Sequence, residues 1–271
     1  MIKKLKLILR LFTPPFVNEC RKFINRNNRI TFKGKYTSWE EALIASKGGY
    51  DSPAILKKVK DASLKVKKGE AIFERDSVCF YEEDYRWPLL SSLLFIANIN
   101  GSKLKVLDFG GSLGSFYNQH KKYMRGIKDL KWYIVEQENF VECGKSEFQS
   151  DVLRFKGTIS ECLKESSIDV VLLSSVIQYL QSPYSIISDI FNANPDFILI
   201  DRTPYINEDN DMIKNQHIPQ SKGGGSYPSW FFSKEKFLST FKEAGYECLI
   251  EFDCDEDFGV GDFKGMFFGK C

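Results

Sequence analysis

From about residue 102 onward the chain alternates short runs of β-branched and aromatic residues with amphipathic segments of helical length, and that alternation leaves few folds open. Strands are expected at Lys105–Phe109, Lys131–Glu136, Leu153–Lys156, Asp169–Ser174, Asp196–Asp201, Tyr246–Asp253 and Lys264–Gly269. Between them the spacing predicts helices at Ser115–Arg125, Asn139–Phe148, Ser160–Glu165, Pro183–Asn192 and Ser233–Ala244, the last with Ser233 as N-cap and Gly245 closing it. Five strand–helix units in succession require a parallel sheet covered on both faces, because a parallel neighbour is reached only by a crossover. The turn-rich Cys254–Asp262 is too short for a helix and suits a hairpin, so the sheet should end on an antiparallel strand. The expected class is α/β: seven strands, mostly parallel, the last antiparallel.

Residues 1–100 read differently and are expected as a basic, helical N-terminal extension or cap in front of a domain spanning 101–271. Ser38 and Glu41 form a capping box for a helix closed by Gly48 and Gly49, and two further helices follow before residue 100. Within residues 1–35 ten Lys/Arg stand against Glu19 alone, a charge of +9 that leaves the rest of a +2 chain at −7. As a helix, Ile2, Leu5, Ile8, Leu9 and Phe12 share a face that Lys3, Lys6 and Arg10 avoid, and Pro14 and Pro15 end it. The stretch is too short to span a bilayer and lacks a cleavage pattern, so it either lies on anionic lipid through residues 1–15 or packs on its own protein.

Composition narrows the class further. At 43% hydrophobic and 27% charged the chain has enough apolar mass for a core and no bias towards disorder. Seven cysteines, odd in number and without a C-x-x-C pair, point to reduced thiols in a cytoplasmic protein; with only His120 and His217 besides, no metal site is expected.

The chemistry is expected behind the first of the parallel strands, where Asp108 is followed by Gly110, Gly111 and Gly114. Glycines there let the backbone bend and let a ligand approach closer than a Cβ permits. The dinucleotide fingerprint G-x-G-x-x-G fails because Phe109 falls on its first glycine, and no G-K-[ST] follows for a phosphate loop. A carboxylate at that strand end suits a cationic amino group and would repel a pyrophosphate. Glu136, at the end of the next strand, can accept both hydroxyls of a ribose. An amino-acid head and a ribose tail together describe S-adenosylmethionine.

On these residues the chain resembles the class I S-adenosylmethionine-dependent methyltransferases over roughly 102–270, with Ser112 where the familiar pattern has glycine, and the resemblance implies their Rossmann-like sheet. The stretches FKGKYTSWEEA, GYDS, ERDSVCF, VLDFGGSLGS and YPSWFFS look like a narrower group of bacterial putative methyltransferases associated with surface-polysaccharide gene clusters. The resemblance implies that Asp108, Gly110, Gly111 and Gly114 line the methionine part and that Glu136 holds the ribose. Thr158 and Ile159 then fall at the adenine, Ser174 and Ser175 behind the fourth strand, and Gln178 and Tyr179 beside the transferred methyl.

For a hydroxyl or carboxyl acceptor, small or carbohydrate-linked, the base candidates lie in the aperiodic stretch 201–232: His217 first, then Asp201 and Tyr227. Arg202 is expected to hold a substrate carboxylate or phosphate, or else to form a structural ion pair. Tyr227 and Trp230 are expected at the acceptor rim. The D/N-P-P-Y motif of amine-methylating nucleic-acid enzymes is missing where SSVIQY stands, so nucleic acid is the weakest partner. A noncatalytic scaffold built on the same fold is the rival from another class.

Overall fold

The computed structural model describes residues 29–47, 53–220 and 224–271. Its centre is the expected sheet. Five parallel strands, β4 (Lys103–Phe109), β5 (Asp129–Val135), β6 (Leu153–Lys156), β7 (Val170–Ser174) and β8 (Phe197–Ile206), lie in the order β6-β5-β4-β7-β8. Strand β12 (Asp262–Lys270) pairs antiparallel with β8, and β11 (Tyr246–Asp253) pairs antiparallel with β12. The chain leaves β4 towards β5 and β6, then returns to the other side of β4 as β7, so the strand order reverses between β4 and β7. In an open α/β sheet a ligand crevice forms at the carboxyl ends of such a pair.

Strands buried on both faces read as continuous apolar runs, and period two sends alternate residues to opposite sides. On one face Leu104, Val106, Ile134 and Leu172 pack under helix α3 (Trp87–Ile99) and α5 (Glu138–Glu147). On the other, Leu107, Tyr133, Val171 and Ile200 meet α6 (Ile159–Glu165), α7 (Pro183–Ala193) and α8 (Lys234–Glu243). Ser233 caps α8 as expected, its hydroxyl accepting from the Lys236 N–H at 3.4 Å. Gly245 follows α8 at φ +86°.

Three stretches depart from the sequence reading. First, the front section is not wholly helical. It holds α1 (Trp39–Ile44), capped by Ser38, and α2 (Pro53–Lys67), but also strand β1 (Thr31–Tyr36) and a hairpin of β2 (Phe73–Arg75) and β3 (Val78–Phe80). Second, the aperiodic stretch 201–232 is no loop: β8 runs on to Ile206 and is followed by β9 (Met212–His217) and β10 (Ser226–Ser233). Strands β1, β9 and β10 form an antiparallel ribbon that joins the main sheet only where Phe232 and Ser233 run parallel to Tyr205 and Ile206. Third, the helix expected to reach Arg125 stops after six residues as α4 (Ser115–His120). At its end the His120 ring lies with Nδ1 2.9 Å from the Phe116 carbonyl and Nε2 accepting the Arg86 N–H at 3.0 Å, tying α4 to the start of α3. Gly48, Gly49 and the whole of residues 1–28, including the basic apolar helix expected at 2–12, lie outside the described residues. Among the described residues no helix is long and apolar enough to cross a membrane.

Candidate functional site

The turn behind β4 carries the two acids the sequence singled out, one packed under its backbone and the other bonded to it. Period two places Asp108 on the Val106 face, beneath the turn. It is 2% exposed, accepts the Trp132 Nε1–H at 3.0 Å, and sits where a Cβ on Gly111 would come within 2.6 Å of its carboxylate. Burial pushes its carboxyl up to about 7; the Trp132 hydrogen bond opposes the shift and the Glu136 charge adds to it. Glu136 follows β5, half-buried, and is bonded to the turn: Oε1 accepts the Ser112 N–H at 3.1 Å and Oε2 the Gln137 N–H at 2.9 Å. Burial raises its carboxyl too, against the pull of those two N–H groups.

Both acids keep capacity for a ligand. An ionised carboxylate has about four acceptor sites, and Glu136 accepts one backbone N–H on each oxygen. Among the described residues Asp108 has an indole donor but no cation against it. A diol on Glu136 and an ammonium drawn to Asp108 fit the donor and acceptor chemistry of the pair. One part of the expectation is corrected: Asp108 lies under Gly111 and does not stand open at the turn, so a ligand meets its charge across the backbone.

Left-handed backbone at non-glycine residues gathers at this edge of the sheet. Ser112 (φ +56°) follows β4, Ser175 (φ +55°) follows β7, and Arg202 (φ +52°) lies within β8, next to the Asp201 that pairs with Ser174 at the end of β7. Such residues cost of order 1–3 kcal/mol each and concentrate where a ligand is held. Ser112 shows that the turn keeps its left-handed bend without the glycine of the familiar pattern.

Behind β7 and β8 the expected residues interlock. Ser174 Oγ donates to Asp201 Oδ2 at 3.0 Å, and the Ser175 N–H to the Asp201 carbonyl at 2.9 Å. Gln178, fully buried, donates from Nε2 to Ser175 Oγ at 3.3 Å and to the Arg202 carbonyl at 3.0 Å. Asp201 is 1% exposed and accepts from Arg86 Nη2, Ser174 Oγ and Cys254 Sγ. This corrects its assignment as a general base: the carboxylate is the buried counter-ion of Arg86.

The remaining candidates are scattered. Thr158 is the N-cap of α6, its hydroxyl accepting the Glu161 N–H at 3.2 Å, and Ile159 opens that helix. Tyr179 meets Tyr227 edge to face at 5.4 Å; Trp230 donates to the Leu180 carbonyl at 2.9 Å and stacks on Trp39. These contacts seat the β10 ribbon beside the turn after β7. His217 is a strand residue opposite Thr31 and Ser226, at the end of β9 farthest from the β10–β8 junction. Burial and the neighbouring Lys33 lower its ring below the usual histidine range. The structure sets it apart from Asp201, the other acid–base candidate of this stretch, which lies in β8.

Sequence reading passed over Arg75, Arg86, Glu74 and Glu256. Arg86 precedes α3 and reaches Asp201, and the β2–β3 hairpin brings Glu74 onto Ser115 Oγ, directly after the glycine turn. No motif marks these residues; the one available signal was the DS pair at 76–77, a two-residue turn with both φ positive that folds the hairpin back.

No protein family profile matches the sequence, and no curated protein matches it. Among solved structures the chain is similar to the Burkholderia thailandensis 1,6-didemethyltoxoflavin-N1-methyltransferase with bound 1,6-didemethyltoxoflavin and S-adenosylhomocysteine (12% identity, 82% of this chain and 92% of that one, TM-score 0.46). It is similar also to magnesium protoporphyrin IX methyltransferase from Synechocystis PCC 6803 with bound S-adenosylmethionine (12%, 82% and 100%, 0.47). A third is an amino pentose methyltransferase from Micromonospora echinaspora (9%, 79% and 97%, 0.46). Likeness at this level assigns no chemistry. What the strand order establishes is an α/β protein with a mostly parallel central sheet whose order reverses between β4 and β7.

Proposed function

We propose that this protein is an S-adenosylmethionine-dependent methyltransferase acting on an oxygen of a small or carbohydrate-linked acceptor. The observation that carries the reading is the pair of acids on one left-handed turn, Asp108 packed under Gly111 and Glu136 bonded to the Ser112 N–H. Bound there, the cofactor supplies an electrophilic methyl on a sulfonium. The chain's part is to hold the ribose on Glu136, draw the amino group towards Asp108, and align an acceptor oxygen beside Ser175, Gln178 and Tyr179 while excluding water. Thr158 and Ile159 flank the adenine in this reading, and Tyr227 and Trp230 the acceptor. The acceptor oxygen gives up its proton as it takes the methyl. With Asp201 committed to Arg86, His217 and Tyr227 are the candidates left to receive that proton; the lowered proton affinity of His217 keeps it neutral at pH 7 and puts it first.

Calorimetric titration with S-adenosylhomocysteine tests the reading. Wild type should bind, and Glu136→Gln should weaken binding by roughly 10–100-fold, as loss of a charge-assisted diol contact would. Absence of binding to wild type would refute it.

The surface-polysaccharide setting rests on the sequence resemblance, and the cytoplasmic location on the cysteine pattern. We place residues 1–100 as a cap over residues 101–271, with residues 1–15 holding the protein at the inner membrane face. Flotation with anionic liposomes should recover the full chain and not a chain lacking residues 1–15; equal recovery would remove the membrane from the proposal. A noncatalytic scaffold is favoured by one observation: a Cβ on Gly110 would stand 2.5 Å from Val176, so that flank of the turn is filled by protein. Turnover of S-adenosylmethionine with cell-extract acceptors separates the two.

A further inference from the structure

Arg75, Arg86 and Arg202 converge from three elements: the β2–β3 hairpin, the residue before α3, and β8. Each lies within electrostatic reach of the other two. Among the described residues only Arg86 of the three has a tight carboxylate partner, Asp201. Arg202 is 3.6 Å from Asp76, 3.7 Å from Glu256 and 3.9 Å from Asp201, Arg75 is 3.8 Å from Asp84, and Arg86 is 3.8 Å from Asp255. Those separations are ion pairs without a hydrogen bond. Asp76, Asp84 and Asp255 are exposed, so water screens their hold on the guanidinium groups.

Beneath that outer ring, buried polar atoms lack partners. Among the described residues, Arg75 Nη2, Arg86 Nε, Gln178 Oε1 and Glu256 Oε2 are buried with no hydrogen bond. Two are donors and two are acceptors. All four belong to residues that touch or face Arg202: Gln178 holds its carbonyl, Glu256 its guanidinium, and the two arginines face its charge. Leaving such groups unsatisfied costs about 1–3 kcal/mol each, and the left-handed backbone at Arg202 adds to the cost. Structure held at that expense beside Ser175 and Gln178 needs a ligand that repays donors and acceptors together.

We propose that this three-arginine cluster is the acceptor's recognition site and selects a hydroxylated molecule bearing an anionic group, carboxylate or phosphate. Unused guanidinium N–H groups bind the anion, as the planar fork of arginine does. Gln178 Oε1 accepts a hydroxyl. Asp76 and Glu256 stand in for the anion in the free protein and yield to it. The inference rests on the methyltransferase reading for its placement of the acceptor, and it excludes neutral sugars as good ligands.

The test is calorimetry on the full chain with D-glucuronate, glucose 1-phosphate and neutral glucose, each with and without S-adenosylhomocysteine, which is also titrated alone. At least one anionic sugar should bind in the millimolar range or tighter and glucose more weakly; which anion binds identifies the group. Arg202→Gln should weaken the anion at least tenfold, and Asp76→Asn and Glu256→Gln should strengthen it severalfold, a gain that a structural ion pair would not produce. Melting curves check that each variant is folded. Failure of both anions, equal binding of glucose, or weakening by Asp76→Asn and Glu256→Gln would overturn the proposal. S-adenosylhomocysteine binding without anion binding sinks this inference alone, whereas anion binding without S-adenosylhomocysteine sinks the methyltransferase reading alone.

Discussion

Asp201 and Arg86 form an ion pair almost out of water, at 1% and 11% side-chain exposure. A guanidinium left behind in such a place is an uncompensated buried charge, and removing its partner costs about 3–5 kcal/mol. Asp201→Ala should therefore lower the urea midpoint by a large fraction of the protein's stability, while Asp255→Ala, whose side chain is 99% exposed beside the same arginine, should leave the midpoint where it is. An Asp201 variant that loses activity but keeps its midpoint would restore the base role withdrawn above. Cys254 belongs to the same shell: burial, with Asp201 beside it, pushes its thiol up to about 12, so it stays protonated and donates to Asp201.

At the scale of elements, the outlying ribbon is the least expected part of the fold. Strand β1 gives β9 its second partner, and Phe32 brings it an aromatic cluster with Phe231, Phe258 and Phe263 at centroid distances of 5.0–6.1 Å. Without that anchor β9 becomes an exposed edge, open to pairing with another chain. Phe32→Ala should cost about 2–3 kcal/mol, somewhat less than a fully buried phenylalanine. It should also raise the exchange rate of the β9 amides before those of β4 or β7, as hydrogen exchange would read. Uniform loss of protection across the sheet would mean that the ribbon and the sheet open as one unit. The β2–β3 hairpin works differently. Its strands are three residues each, and it holds its place through the Phe73–Phe80 stack at 4.5 Å and through Glu74 on Ser115.

At the scale of the whole molecule, buried acids set the response to pH. Asp108, Glu136 and Glu74 all have carboxyls raised chiefly by burial. A raised folded value means that the native state binds the proton more tightly than the unfolded chain. The Asp108 contribution is therefore complete below its ordinary value of 3.8 and is lost as pH rises through about 7. Stability should fall across that window by up to a few kcal/mol, and Asp108→Asn should flatten the fall in denaturation curves recorded at pH 4.5 and 8. An unchanged slope in that variant would show that Asp108 is ionised throughout. The same group makes binding of a cationic ligand tighten as pH climbs through 7.

Much of this was legible in the chain before any folding. Apolar alternation marked the seven strands of the central sheet, the short Cys254–Asp262 connection marked the antiparallel end, and Asp108 and Glu136 stood out because they close apolar runs. Signals of that kind are local: strand period and turn chemistry act over a few residues, and the sequence carries them in order. What spacing cannot express is which distant groups burial will force together. Arg86 meets Asp201 across 115 residues, and the Lys47 N–H meets Ser226 Oγ across 179. Asp201 read as a free base because its sequence neighbours do not reveal Arg86, and stretch 201–232 read as a loop because a ribbon strand paired only at its edges shows weak alternation. So the central sheet and its acid-flanked turn were determined by sequence alone. The ribbon, the arginine cluster and the role of Asp201 were decided by tertiary structure, because only close packing removes the water that would otherwise keep those charges apart.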